Sequence, residues 1–287
     1  MKPPDTPTAA QRGAPSRQRR CASAAAGAFL PVAQARSAVW LRPGPSVPHV
    51  LRGFAREWPA VRRWTFPHLA SLGPDTPVRL VLGNREHDPT RFEAATFGEY
   101  MALLQQGPLA DGALPYLKEF DLLGQFPSLK ADVPGDALFP RGAWVWNDVW
   151  IGPAGSRTGL HHDRLDNVAV LLKGRKRFRL VAPGTLEALG ALSSKYDRVS
   201  VMASLGVDEL VSRAPGTAVQ EVDLEAGDVI HVPAGWWHEV VNLDASIFMS
   251  GFFGGKWGVS AKWLSTLPWH LLHRAGWWRR GDCVCHA

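Results

Sequence analysis

Cysteine is scarce in this chain: three in 287 residues, at positions 21, 283 and 285. That is too few for a disulfide framework, and a reducing, cytoplasmic setting is the simpler reading. No uninterrupted apolar run reaches about 18 residues, so no membrane-spanning helix is expected. The net charge of +6 suggests a nucleic-acid partner only until it is located along the chain. Residues 1–36 carry +5 and residues 256–287 carry +4, which leaves residues 37–255 at −3. The basic charge sits in the tails, so the net charge does not imply a basic binding channel, and nucleic acid is not expected as a partner. What remains is 46% hydrophobic sequence with 13 tryptophans, ample for a large packed core.

The chain divides by composition. Residues 1–36, rich in Ala, Pro and Arg, have no apolar period and read as a disordered basic tail. Ala33-Gln34-Ala35 resembles a leader cleavage site, but the preceding run is mostly alanine, and the tail reading is preferred. Residues 37–255 read as one globular domain. In it, Val78 to Leu82 alternates as a strand, Phe97 to Gln106 forms a helix capped by Thr96, and Leu117 to Phe126 is expected to be helical. Residues 143–182 and 227–253 are strand-rich, with Gly and Pro at short intervals. The expected fold is mainly β, a jelly roll with flanking helices at both ends. Residues 256–287 read as a C-terminal helical extension, a helical pair broken at Pro268. Its tryptophans either pack on the β core or form a homodimer interface. The cluster Cys283-Val284-Cys285-His286 reads as a frayed terminus rather than a metal site.

The chemistry is concentrated in two segments. In Thr158-Gly159-Leu160-His161-His162-Asp163, His161 and Asp163 lie two apart and share a strand face, with His162 on the other. In the second, Gly227-Asp228 precedes a strand from Val229 to Val232, and Pro233 to Gly235 turns the chain into His238. His238 lies 77 residues beyond His161, enough for a jelly roll to return it to the same mouth. Two histidines and one carboxylate form a facial triad that leaves coordination positions open on Fe(II). His231 is expected to be a core histidine, and Trp236 and Trp237 to be packing residues.

Asn167, Ala169 and Leu171 share the parity of the two ligands. On the following strand Lys176, Phe178 and Leu180 share one face, and Arg175, Arg177 and Arg179 the other. Lys176 is therefore a lone charge on an apolar face. A buried ammonium calls for an anion opposite it, and a dicarboxylate chelating the metal would supply one.

Together these residues resemble the JmjC/cupin-type 2-oxoglutarate oxygenases, in particular their asparaginyl-hydroxylase-like protein hydroxylases. Thr158, Asn167 and Lys176 stand three before, six after and fifteen after the first His, as in the family pattern. Trp150-Ile151-Gly152 and Gly227 to His238 match further motifs, and Tyr116 to Leu129 looks like the family's tyrosine segment. The resemblance spans roughly residues 39–255. It implies a double-stranded β-helix with Fe(II) on His161, Asp163 and His238. It implies that Lys176, Thr158 and Tyr116 bind the far carboxylate of 2-oxoglutarate, that Asn167 positions this cosubstrate, and that Ser250 lines the pocket. It implies hydroxylation of an amino-acid side chain in a protein or peptide, with succinate and carbon dioxide as coproducts. A small-molecule hydroxylase with the same centre and a non-catalytic metal-binding cupin are the alternatives. Residues 184–222 depart from the family pattern, and substrate recognition is expected to differ there.

Overall fold

The computed structural model of the protein describes residues 29–38, 41, 46–106 and 114–286. The strands, in chain order, are β1 (Phe29–Pro31), β2 (Ala33–Gln34), β3 (His49–Leu51), β4 (Pro77–Leu82), β5 (Phe92–Thr96), β6 (Pro115–Phe120), β7 (Trp144–Gly152) and β8 (Arg157–Asp163). They continue as β9 (Asp166–Lys173), β10 (Arg175–Val181), β11 (Ser200–Met202), β12 (Val219–Glu225), β13 (Val229–Val232), β14 (Trp237–Asn242) and β15 (Ser246–Gly254). Helices α1 (Pro59–Arg63), α2 (Phe66–Leu72), α3 (Phe97–Leu103) and α4 (Leu122–Gln125) come before the sandwich. Helices α5 (Thr185–Ala188) and α6 (Val207–Arg213) interrupt it, and α7 (Lys256–Arg274) follows it.

The strands form two sheets, ordered β1-β12-β10-β14-β8-β11 and β2-β3-β13-β9-β15-β7-β6-β4-β5. From β7 to β10 each successive strand changes sheet, which is how a jelly roll winds. Gly174 makes one of these crossings with φ at +78°, where an added Cβ would sit 2.4 Å from the Ala245 carbonyl oxygen. Strand parity then decides which core each residue enters. Ala169, Leu171, Phe178, Leu180, Ile230, Val240 and Phe248 pack between the sheets. Val168, Val170 and Leu172 face outward from the larger sheet, where Trp58, Trp64, Phe97 and Tyr100 cover them. Leu160, Val181 and Trp237 leave the smaller sheet on its outer side and pack against Leu186, Val207 and Leu210 of α5 and α6. Within the stretch 184–222, α5 and α6 thus cap the back of the sheet that bears the triad, while β11 and β12 are strands of that sheet.

Several sequence expectations are met. Val78 to Leu82 lies within β4, and Thr96 caps α3 in a capping box with Glu99. Arg175, Arg177 and Arg179 point out and pair with Asp244, Asp223 and Glu221. Others are corrected. Leu117 to Phe126 is not one helix: the chain runs as β6 through Phe120, and only the short α4 follows, capped by Asp121. Pairing with β7 outweighs local helical propensity here. Nor does Pro268 split the last segment, because α7 runs through it. The amide that proline lacks would have bonded the carbonyl of Leu264, a residue 66% exposed, so water can serve that carbonyl instead. Residues 1–28 of the expected tail lie outside the described residues; within its remainder β1 pairs with β12 and β2 with β3, so ordered chain begins before residue 37. The segment around Cys283 is not frayed either. Cys283 is 1% exposed and bridges Tyr196. Among the described residues no helix is long and apolar enough to cross a membrane.

Candidate metal centre and cosubstrate cavity

Strands β8 and β14 are antiparallel neighbours, and their register sets His238 directly opposite His161. Asp163 lies on the same face of β8, opposite Ser200 of β11. The three side chains converge: His161 Nε2 is 3.8 Å from Asp163 Oδ1, and His238 Nε2 is 3.6 Å from Asp163 Oδ2. All three are buried.

Hydrogen bonds fix what each ligand presents. His161 Nδ1 lies 2.7 Å from the Gly159 carbonyl oxygen and His238 Nδ1 lies 3.0 Å from that of Trp236. A carbonyl only accepts, so both Nδ1 atoms carry the proton and both Nε2 atoms turn a lone pair toward Asp163. Ser200 Oγ donates to Asp163 Oδ1 at 2.8 Å, which orients the carboxylate. Burial, reinforced by neighbouring His161, lowers the His238 pKa to about 4 and keeps the ring neutral. Two neutral imidazoles and a carboxylate with one side toward a cavity form a donor set that fits a divalent transition metal.

That cavity, about 50 Å³, is lined by all eight residues singled out from the sequence: His161, Asp163, His238, Lys176, Thr158, Asn167, Tyr116 and Ser250. At its floor Lys176 is 1% exposed. Its Nζ donates to the Tyr116 hydroxyl at 2.8 Å and lies 4.5 Å from the centre of the Phe248 ring. Among the described residues it forms no ion pair, and burial with nearby Lys118 drives its pKa well below the ordinary lysine value. Thr158 and Asn242 lie beside the Tyr116 hydroxyl, and the Asn242 amide donates to the Pro153 carbonyl at 3.1 Å. Gly152 makes room for this tyrosine, since a Cβ there would meet its ring at 2.5 Å. Asn167 adds a buried side-chain oxygen that finds no partner among the described residues. A buried cation with one neutral partner fits a carboxylate-bearing ligand. His162, as expected, faces away and meets Trp237 edge-on at 4.6 Å. His231 is 1% exposed within the core.

The sequence reading missed the support beneath the site. Lys118 Nζ bonds both oxygens of Glu86 at 2.9 Å, and Glu86 Oε2 accepts from the Gly159 amide at 3.2 Å, two residues before His161. Burial would raise the Glu86 pKa, but Lys118 and Arg85 outweigh it and hold the carboxyl near about 2. Reading Tyr116 to Phe120 as a strand would have exposed Lys118 as the same-face neighbour of Tyr116; Glu86 lies in a loop without any pattern. A second, wider cavity of about 200 Å³ shares His161, Asp163, Thr158, Trp150 and Phe252 with the first. Its wall includes Arg85, Glu86, Lys118, Glu119, Asp148 and Asp197. Burial, with Glu119 adding to it, pushes the Asp148 carboxyl up to about 7.

Comparison with known proteins agrees with this fold. Residues 44–256 match the cupin-like domain model. The chain is 27% identical over 248 residues to human 2-oxoglutarate and iron-dependent oxygenase JMJD4, covering 76% of this chain and 58% of that protein. It is 26% identical over 218 residues to Xenopus tropicalis lysine-specific demethylase 8, covering 72% of this chain and 48% of that one. Human tRNA wybutosine-synthesizing protein 5 is 28% identical over 155 residues, 54% of this chain and 46% of its own. The chain therefore spans about half the length of the curated relatives it matches. With its two-sheet jelly roll, its His-Asp-His cluster and a domain match over most of its length, the chain belongs to the cupin-like domain family, of JmjC type.

Proposed function

We propose that this protein is an Fe(II)- and 2-oxoglutarate-dependent hydroxylase acting on an amino-acid side chain of a protein or peptide. The observation that carries the reading is the buried Lys176, which forms no ion pair among the described residues, in the same cavity as the His161, Asp163 and His238 cluster. When bound, the iron and its cosubstrate supply the oxidation, in which O₂ and 2-oxoglutarate yield succinate, carbon dioxide and a C–OH in place of C–H.

The chain's own residues do the rest. His161 and His238 give Nε2 lone pairs, and Asp163, held by Ser200, gives a carboxylate oxygen. Lys176, Tyr116 and Thr158 bind the far carboxylate, and Asn167, on the same cavity, orients the cosubstrate through its amide N–H group. Phe178, Val240, Phe248 and Phe252 keep water from the inner cavity. The substrate enters by the wider cavity, whose wall sets five carboxylates against two cations. Such a wall repels a polyanion and receives a neutral or basic side chain, which supports a peptide over RNA. The exposed Trp257, Leu264 and Leu271 of α7 support a homodimer through that helix. The free Cys283 and Cys285 accord with a reducing, cytoplasmic setting.

Succinate release from 2-oxoglutarate, measured with peptide, metabolite and RNA pools, tests the reading. Wild-type turnover with a peptide pool and its loss in His161→Ala are expected. Full activity in His161→Ala overturns the metal assignment. Turnover with metabolites alone identifies a small-molecule hydroxylase. Failure to bind iron with 2-oxoglutarate anaerobically identifies a non-catalytic cupin.

A further inference from the structure

Beyond the triad, a second group of ligand-type side chains converges at the other end of the chain. His273, in the last turn of α7, meets Cys283, Cys285 and His286, with one donor atom of each within 4.8 Å of all the others. His273 Nε2 is 3.2 Å from Cys285 Sγ, and His286 Nδ1 is 3.4 Å from both Cys283 Sγ and Cys285 Sγ. Around a tetrahedral zinc, with bonds of ~2.0–2.3 Å, neighbouring donors stand ~3.3–3.8 Å apart. Two features go beyond mere proximity. His273 Nδ1 donates to the Trp278 carbonyl at 2.8 Å, which fixes the tautomer and turns the Nε2 lone pair onto the cysteines. His273 and Cys283 are each 1% exposed, and Cys285 and His286 are half-buried above them, so the group is rooted in the interior.

We propose that these four residues form a structural zinc site. Two thiolates and two neutral imidazoles select zinc, and they close its coordination sphere with no position left for substrate. The charges cancel: two thiolates balance the dication, so the buried cluster is neutral.

The site ties a short segment to the wall of the substrate cavity. The Tyr196 amide donates to the Asp282 carbonyl at 2.9 Å, and the Val284 amide returns a bond to the Tyr196 carbonyl at 3.2 Å. Thr90 Oγ1 donates to the Cys283 carbonyl at 2.7 Å, and the Tyr196 ring lies 4.3 Å from that of His273. From Tyr196 the chain runs through Asp197, on the wider cavity, to Ser200 beside Asp163. Zinc therefore holds this wall in place without touching the reaction.

Cobalt(II) separates this site from the triad, because a cysteine ligand produces a thiolate-to-cobalt charge-transfer band and His161, Asp163 and His238 cannot. The full chain, freed of metal and titrated with cobalt(II), is expected to show the band. It is expected to persist in His161→Ala and in Cys21→Ser and to vanish in Cys283→Ser/Cys285→Ser. Purified His161→Ala is expected to retain about one zinc per chain. Absence of the band in wild type, its survival in the double cysteine variant, or no zinc in His161→Ala overturns the proposal and leaves only thiol–imidazole hydrogen bonds. Should the double variant fail to fold, the wild-type spectrum and the zinc content of His161→Ala still decide.

Discussion

At the scale of single residues, Lys176 makes the sharpest prediction. Burial disfavours its charge, and a bound carboxylate restores it. Binding of 2-oxoglutarate should then draw a proton from solvent, and affinity should fall as pH rises above the pKa of the free site. Calorimetry in buffers of different ionisation enthalpy reads the uptake directly. Lys176→Ala should weaken 2-oxoglutarate binding by about 3 kcal/mol, on the order of a hundredfold, and leave iron binding nearly unchanged. Equal loss of both would point to misfolding. This residue was legible because a charge at an apolar parity position stands out in a strand. Ser200 and Glu86 were not, because each acts on the triad from a segment distant in sequence and without periodicity.

At the scale of elements, β6 teaches the complementary lesson. Its segment carries helix-compatible residues, and its strand state comes from β4 and β7 on either side, which no local pattern reveals. The cost was Lys118, and with it the ion pair to Glu86. That pair governs behaviour in acid. The Glu86 carboxyl is held near about 2, below its ordinary value of 4.5. A depressed carboxylate stabilises the fold fully above about pH 4.5, and the contribution fades as pH falls toward 2. The size is roughly 3 kcal/mol, from the linkage of 1.36 kcal/mol per pKa unit. Urea unfolding followed between pH 5 and pH 2 should therefore show a steep acid limb in wild type and a flatter one in Glu86→Gln. The variant should also be less stable at neutral pH, since Lys118 loses its buried partner. Identical slopes for the two proteins would contradict the assignment.

At the scale of the whole molecule, composition and punctuation sufficed for a jelly roll, and motif spacing singled out residues that line one cavity. The order of strands was not readable, because pairings such as β8 with β14 join residues 77 apart and obey only three-dimensional packing. The exposed face of α7 is the open question at this scale. If it joins two copies, light scattering should give a dimer for the wild type and a monomer for Leu264→Glu/Leu271→Glu, with the metal centre intact in both. A wild-type monomer at micromolar concentration would rule the interface out.

The register of β8 against β14 carries one more consequence. Two of the three proposed iron ligands face each other across hydrogen-bonded strands whose outer faces are sealed by Trp237 and Leu160. Their places are set by the sheet, so the apoprotein should be fully folded and should lose and regain iron reversibly, its melting temperature rising with iron concentration as mass action requires.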